Sequence, residues 1–114
     1  MADHITIREA DGTWVVRAGG AVLGESDSAL ELSEGDYQPV IYFPRDDIAM
    51  DFLDESDKVT SCPWKGEARH FSISTSGSTL ENAAWSYETP KSEVAAIAGH
   101  IAFYSGDELA VEKL

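Results

Sequence analysis

The sequence predicts a mainly β fold, a single compact barrel- or sandwich-like domain of short antiparallel strands with one or two short helices. Three observations predict it. Short runs of β-branched and aromatic residues recur along the 114 residues, glycine-containing turns separate several of these runs, and helical spacing is confined to one or two short turns. We count seven to nine candidate strands, a number typical of a β-rich barrel or sandwich.

The amino-terminal half begins with a strand at residues 5–8, followed by a β-hairpin. The two arms of this hairpin, residues 14–18 and 21–25, carry β-formers, and the glycine pair between them supplies the positive φ angles of a tight turn. Residues 29–32 alternate in polarity and fit either a strand or a helical turn. The β-branched and aromatic run at 39–43 predicts another strand, with proline at its start, where a ladder donor is not needed.

The carboxyl-terminal half predicts two more hairpins. Residues 71–75 and 79–85 flank a Ser-Gly-Ser turn, and both arms carry apolar residues. Residues 101–104 and 109–112 flank a Ser-Gly-Asp segment in the same way. We therefore expect the chain to close with a hairpin in which these last two segments pair.

Two short helices are predicted between the strands. The first covers residues 49–53, with Asp46 or Asp47 as its N-terminal cap, because its apolar residues recur at helical spacing. The second covers residues 93–98 and ends at Gly99. The carboxylates between residues 46 and 57 are then explained as a solvated, acidic helix face.

Composition bounds the class of protein. The length fits one domain, residues 1–114, which is long enough to bury a core. A net charge of −13 repels nucleic-acid phosphates and anionic membranes. No stretch approaches the ~20 apolar residues of a membrane span, the amino terminus lacks the features of a signal peptide, and one cysteine permits no internal disulfide. We expect a cytoplasmic protein that binds neither nucleic acid nor membrane.

One short segment concentrates chemically distinctive side chains. Residues 60–66 hold the chain's only cysteine, one of its three tryptophans and a lysine. Two other dense segments, residues 41–48 and 84–90, add prolines, aromatics and an arginine. Reactive groups, cations, rigid prolines and large aromatics rarely crowd together on a surface that only has to be soluble. The crowding therefore marks the place of a site.

We expect these segments to build a pocket for a small anionic or aromatic-containing metabolite. Arg45 and Lys65 would hold the anionic group, and Cys62 would lie at the base. The aromatic ligand-binding residues would be Tyr42, Trp64, Trp85 and Tyr87, with Tyr104 as a further pocket aromatic. Two alternatives stay open: the cations pair with nearby carboxylates, and the aromatics belong to the core.

An enzyme is the second hypothesis. Cys62 would need a depressed pKa to act as a nucleophile, which Lys65 or a histidine would supply. His70 and His100 are the available bases, and His70 is the preferred proton carrier. The candidate catalytic residues are therefore Cys62, Lys65 and His70, although an unpaired cysteine is more often a packing residue. A third hypothesis, a protein-interaction module, predicts an exposed apolar patch around Trp64 and Trp85.

No cofactor or metal is indicated. One cysteine and three histidines lack the paired spacing of structural zinc sites, and the acidic clusters lack the glycine and spacing of an EF-hand loop. Phosphate-binding and nucleophile-elbow motifs are also missing from the sequence. These observations leave the reaction, the ligand and the oligomeric state open.

Four segments together resemble one known family. They are residues 42–48, 60–68, 84–90 and 99–104, in the family's order, and the likeness covers nearly the whole chain. The sequence is similar to the small bacterial and fungal proteins catalogued as domain of unknown function family 427, a family that also carries a nucleotidyltransferase-like label. The resemblance implies a compact, β-rich single domain. It brings no catalytic residues, and the paired-carboxylate and glycine-serine pattern of established nucleotidyltransferases is not found here.

Overall fold

A computed structural model describes residues 4–114, and these residues are mainly β, as the sequence predicts. They form ten strands and three short 3₁₀ turns. The strands are β1 (Ile5–Glu9), β2 (Trp14–Ala18), β3 (Ala21–Ser26), β4 (Leu30–Glu34), β5 (Val40–Tyr42), β6 (Leu53–Cys62), β7 (Gly66–Thr75), β8 (Ser78–Ser86), β9 (Ala102–Phe103) and β10 (Leu109–Lys113). The 3₁₀ turns are Arg45–Asp47, Met50–Phe52 and Ser92–Ile97.

The strands form three antiparallel sheets, in the orders β1-β4-β5, β10-β2-β3 and β6-β7-β8-β9. In the described part of the chain these sheets do not close into a barrel. An isolated bridge joins the first sheet to the third, because Phe43 and Ile101 exchange two backbone hydrogen bonds of 2.8 Å. No helix among residues 4–114 has the length and apolar character needed to cross a membrane.

Two predicted hairpins are confirmed. Strands β2 and β3 pair around Gly19 and Gly20, and β7 and β8 pair around the turn that contains Gly77. Only Gly19 of the first pair has a positive φ, at 59°, and Gly77 has a φ of 92°. The prediction of two positive φ angles in the first turn is therefore wrong for Gly20.

The predicted closing hairpin is wrong. Strand β9 pairs with β8, and β10 pairs with β2 in another sheet. Phe103 and Leu109 are both buried, at 5% and 4% exposure, but they reach the core from different sheets. Alternating polarity indicates that a segment is a strand, but it does not specify the partner strand.

The predicted helices are also corrected. In place of α-helices, Met50–Phe52 forms a single 3₁₀ turn and Ser92–Ile97 forms a 3₁₀ segment that is kinked at Val94, and no side-chain hydrogen bond caps either one. Asp47 instead accepts a 2.6 Å hydrogen bond from the hydroxyl of Ser26. The acidic residues after Leu53 lie on strand β6, not on a helix. Strand β6 is at the edge of its sheet, where charged side chains are tolerated and discourage strand pairing between molecules.

A close backbone contact fixes the segment between β5 and β6 against β3. Ala49 donates a 2.7 Å hydrogen bond to the carbonyl of Leu23, and Gly24 forms a bridge with Ile48. A Cβ at Gly24 would lie 2.5 Å from the backbone oxygen of Asp47 and from Cδ1 of Ile48. Glycine is therefore required by the close approach of the two backbone segments.

The buried apolar residues form two clusters on opposite faces of the β6–β9 sheet. The larger cluster packs that sheet against β2, β3 and β10, and includes Phe43, Ile73 and Phe103. The smaller cluster packs the other face against β1, β4 and β5. Neighbouring residues Ala84 and Trp85 contribute to different clusters, because successive side chains of a strand point to opposite faces. The candidate site lies on the face of the smaller cluster.

Candidate functional site

A cavity of about 170 Å³ opens between β4 and β5 on one side and β7 and β8 on the other. Its lining combines aromatic and polar side chains. The aromatic members are Tyr37, Tyr42, Trp85, Tyr87 and Tyr104, and the principal polar members are Glu34, Gln38, Thr60, Lys65 and His70. We call this cavity the inner pocket.

Lys65 reaches the inner pocket from the turn between β6 and β7. Cys62 pairs with Gly66 at the ends of the two strands, and Gly66 has a φ of 110°, which is accessible mainly to glycine. The backbone carbonyl of Lys65 accepts a 3.0 Å hydrogen bond from the amide of Lys91, which holds the turn in place. The turn therefore presents a lysine side chain that is only 10% exposed.

The ammonium group of Lys65 is paired with Glu34. Nζ of Lys65 donates a hydrogen bond of 2.6 Å to Oε1 of Glu34, and it lies 5.9 Å from the ring centre of Tyr87. Burial opposes the charged form of Lys65, but the hydrogen bond that Lys65 donates to Glu34 and the neighbouring Cys62 outweigh burial and raise the pKa of Lys65. Lys65 is therefore an ammonium group at neutral pH and is unsuited to act as a general base.

The other oxygen of Glu34 faces His4. Nε2 of His4 lies 3.6 Å from Oε2 of Glu34, so the carboxylate has a neighbour on each side. An ammonium group carries three N–H donors. Within residues 4–114, Lys65 donates a hydrogen bond to Glu34.

The aromatic walls are held by hydrogen bonds and ring contacts. Nε1 of Trp85 donates to the hydroxyl of Tyr42 at 3.3 Å, and the rings of Trp85 and Tyr104 lie 4.3 Å apart. Burial is the main cause that raises the pKa of both phenols. The pKa of Tyr42 lies well above its usual value, and that of Tyr87 is raised to about 12. Both hydroxyls are therefore neutral at ordinary pH and able to donate to a ligand.

His70 contributes a buried, neutral imidazole. It pairs with Trp85 across β7 and β8 and is 1% exposed. Its Nε2 lies 3.5 Å from the hydroxyl of Tyr104, and its Nδ1 is buried without a hydrogen bond of good geometry. Burial, with the positive charge of Lys58 as a smaller cause, lowers the pKa of His70. The ring therefore adds hydrogen-bonding capacity to the pocket without adding charge.

The structure brings together six of the side chains singled out in the sequence. Tyr42, Lys65, Trp85 and Tyr87 line the inner pocket together with the predicted proton carrier His70. Tyr104, the further aromatic of the sequence analysis, lines it as well.

Arg45 lies away from this group. Its guanidinium donates to the carbonyl of Gly99 at 3.0 Å and to the carboxylate of Glu88 at 3.0 Å, and it lies 5.7 Å from the ring centre of Phe71. Phe71 belongs to the larger cluster. Arg45 and Lys65 therefore lie on opposite faces of the β6–β9 sheet, and one ligand in the inner pocket does not reach both.

Cys62 and Trp64 lie beside the inner pocket but do not line it. Cys62 is partly buried against the smaller cluster. Trp64 is 38% exposed, and its ring meets the edge of the His4 ring at 4.9 Å. Both residues support the turn that carries Lys65.

Glu34 is the main pocket residue that the sequence analysis does not predict. It follows Leu30 and Leu32 at a spacing of two, and all three share one face of β4. That alternation points the Glu34 carboxylate inwards, among apolar neighbours. The available signal was a carboxylate two residues after Leu32, which is buried, and four after Leu30, which is partly buried.

A wider cleft of about 750 Å³ continues outwards from the inner pocket. The two cavities share six lining residues, among them Glu34, Trp85 and Tyr104, and the cleft extends to Trp14 and Phe103. In the described residues no three His, Cys, Asp or Glu side chains come together to hold a metal ion.

Comparison with known proteins agrees with the resemblance seen in the sequence. A family model described as a domain of unknown function (DUF427) matches residues 6–113, which is nearly the whole chain. The chain belongs to this family. The short name of the family model is NTP_transf_9. A search of curated proteins finds no match.

Proposed function

We propose that this DUF427 domain binds a small molecule that contains an aromatic ring. The observation that supports the proposal is the position of the Lys65–Glu34 ion pair, which is 2.6 Å long and lines an aromatic-walled cavity. The ring of the ligand lies against Trp85 and Tyr104. Its polar group accepts a hydrogen bond from Lys65.

A purely structural role explains this ion pair less well. Removing two charges from water costs several kcal/mol for each ion, and apolar residues of similar size often replace a buried pair without loss of stability. The pair does connect β4 to the β6–β7 turn. Its position at the wall of an aromatic-lined cavity supports an additional role in binding.

The charge of the pair favours an uncharged polar group on the ligand. Of the two ligand types expected from the sequence, an anion would require Lys65 to act as an unpaired cation. Glu34 already neutralises Lys65, and an added anion would lie close to a carboxylate. An amide or other neutral acceptor avoids that repulsion, and the neutral phenols of Tyr42 and Tyr87 are further donors for it.

Three matched probes test the proposal: benzamide, benzoate and cyclohexanecarboxamide. Benzamide has the ring and a neutral acceptor, benzoate has the same ring with a negative charge, and cyclohexanecarboxamide has the amide without an aromatic ring. We expect benzamide to bind most tightly, at a dissociation constant of about 1 mM for so small a ligand. Lys65→Met should weaken its binding at least about fivefold. Equal affinities for the three probes would contradict the proposal.

A matched variant controls for general effects of charge. Arg8 forms a 2.6 Å ion pair with Glu31 on the same sheet as Glu34, but the Arg8 side chain is 72% exposed. Arg8→Met removes one positive charge as Lys65→Met does. It should leave benzamide affinity unchanged, because Arg8 does not line the inner pocket.

Localisation and excluded partners also belong to the proposal. The net charge of −13 argues against binding to nucleic acid, because its field repels phosphate groups. We propose a cytoplasmic domain whose partner is a small molecule. Retention of the protein on a polyphosphate column at physiological salt would contradict this part of the proposal.

A further inference from the structure

We propose that the ligand of the inner pocket carries an apolar tail, which leaves its ring opposite the polar group and lies in the wider cleft. This inference rests on the proposed function and names the class of ligand: a neutral aromatic amide with an aliphatic group para to the amide. The observation that carries it is the way in which the two cavities share some walls and not others.

The two cavities are continuous through a shared set of walls. The residues that line both are Glu34, Tyr37, Gln38, Val40, Trp85 and Tyr104. Lys65 lines only the inner pocket, whereas Trp14 and Val111 line only the wider cleft. The shared walls therefore lie between the Lys65 end and the Trp14 end, and a molecule that contacts both ends passes along them.

This order of walls fixes the direction of the ligand. Its polar group accepts a hydrogen bond from Lys65, and its ring lies against Trp85 and Tyr104, which belong to both cavities. The ring atom opposite the polar group therefore faces the wider cleft, and a substituent at that para position enters it. A substituent on the amide nitrogen instead meets the buried end of the inner pocket, where Tyr42 and Ala68 are each 1% exposed.

The walls of the cleft beyond the ring are mostly apolar. Trp14 and Val111 are partly buried against the larger cluster. The indole N–H of Trp14 already donates a 3.0 Å hydrogen bond to the carbonyl of Asp11, so the Trp14 ring offers apolar surface to a ligand. Pro39 and Phe103 add further apolar walls. The cleft, at about 750 Å³, has room for a short alkyl chain, and binding that chain removes apolar surface from water.

The charges of the cleft exclude an acidic tail. Glu31 and Glu34 line it, and no lysine or arginine among residues 4–114 does. A carboxylate or phosphate at the end of the tail would therefore lie near carboxylates, without a cation in the cleft wall to bind it. The tail is uncharged and aliphatic, which separates this class of ligand from fatty acids and from phosphorylated metabolites.

Two isomers test the direction of the tail: 4-butylbenzamide and N-butylbenzamide. They have the same atoms, but only the first places its butyl chain opposite the amide. We expect 4-butylbenzamide to bind at least about tenfold more tightly than either benzamide or N-butylbenzamide, because its chain leaves water for the cleft. Isothermal titration calorimetry measures the three affinities. Intermolecular nuclear Overhauser effects from the terminal methyl group of 4-butylbenzamide should reach the ring of Trp14.

A matched pair of variants tests the cleft wall. Val111→Thr places a hydroxyl group in the cleft wall, which disfavours an apolar chain. Val22→Thr makes the same change on the same sheet, at a residue that is 56% exposed and lines neither cavity. Val111→Thr should weaken 4-butylbenzamide binding at least about threefold and leave benzamide binding unchanged. Val22→Thr should change neither affinity.

Three results would overturn the inference while benzamide still binds. They are equal affinities of the two isomers, a gain of less than about twofold from the para butyl group, and contacts of its methyl group with Trp64 rather than Trp14. If Val111→Thr does not fold, the comparison of isomers on the wild-type protein decides the question. Absence of benzamide binding would contradict the proposed function and this inference together, so failure of the inference alone is distinguishable.

Discussion

Replacement of Lys65 by methionine tests how the ion pair supports both the fold and the site. Methionine keeps an unbranched side chain of similar size and removes the charge. Glu34, whose side chain is 23% exposed, then loses its 2.6 Å partner. The carboxylate remains, partly buried, beside apolar residues of β4.

The structure gives the magnitude of the loss. Removing one partner of a fully buried ion pair costs about 3–5 kcal/mol. Here Glu34 keeps some contact with water and has His4 at 3.6 Å, so we expect about 2 kcal/mol. For a domain of this size, that is a fall in melting temperature of roughly 8 °C. Arg17→Met, which breaks a 3.3 Å pair with Glu112 in which both side chains are about half exposed, should cost less than about 1 kcal/mol.

Urea unfolding of four proteins completes the test: wild type, Lys65→Met, Glu34→Gln and the double variant. The double variant should recover about 1 kcal/mol relative to Lys65→Met, because it no longer buries an unpaired carboxylate. If Lys65→Met costs no more than Arg17→Met, or if Lys65→Met and Glu34→Gln are additive, the reasoning is refuted and the pair does not act as a unit.

Three further predictions concern the backbone and the titrating groups. Gly24→Ala should destabilise the protein by about 1–3 kcal/mol, because a Cβ would lie 2.5 Å from the backbone oxygen of Asp47. Gly20 has open space around it, so Gly20→Ala should cost less than about 1 kcal/mol, and equal losses in urea unfolding would contradict the prediction. Above pH 10 the unfolded chain releases the Tyr87 proton, which the folded chain retains up to a pKa of about 12, so stability should fall across that window and fall less in Tyr87→Phe. His70 has a lowered pKa in the fold, so its contribution to stability is lost as the pH drops below about 6.5, and His70→Phe should make the loss between about pH 7 and about pH 5 smaller; an unchanged loss would contradict burial of a neutral ring.

Local signals in the sequence predicted much of the fold. The hairpins around Gly19 and Gly77 were predictable because β-forming arms flank short turn residues. Strand β6 was not predictable in this way. Among residues 53–62 only Leu53 is fully buried, and charged residues occupy positions that are apolar in a typical strand of alternating polarity. Its identity depends on pairing with β7, which is a tertiary interaction.

The candidate site was predictable in part for a similar reason. Trp85 and Tyr87 are two residues apart on β8 and its extension. Their side chains therefore point to the same face, and this follows from the sequence. Arg45 was grouped with Lys65 because both are cations near aromatics, but which face of the sheet each one meets depends on how β5 and the following 3₁₀ turn cross β8 and β9. Glu34 is 31 residues away from Lys65 in sequence, and only the packing of β4 on the β6–β7 turn brings the two together.

The indole N–H signals of the three tryptophans give the most direct test of the aromatic pocket. Trp85 donates its indole N–H to Tyr42 within the inner pocket, at 3.3 Å, whereas Trp64 lies outside the pocket, 38% exposed. Titration of the isotope-labelled protein with benzamide should move the Trp85 indole signal and leave the Trp64 signal in place. A shift of the Trp64 signal without one at Trp85, or no shift of either at saturating benzamide, would contradict the central claim that the pocket between β4–β5 and β7–β8 binds aromatic ligands.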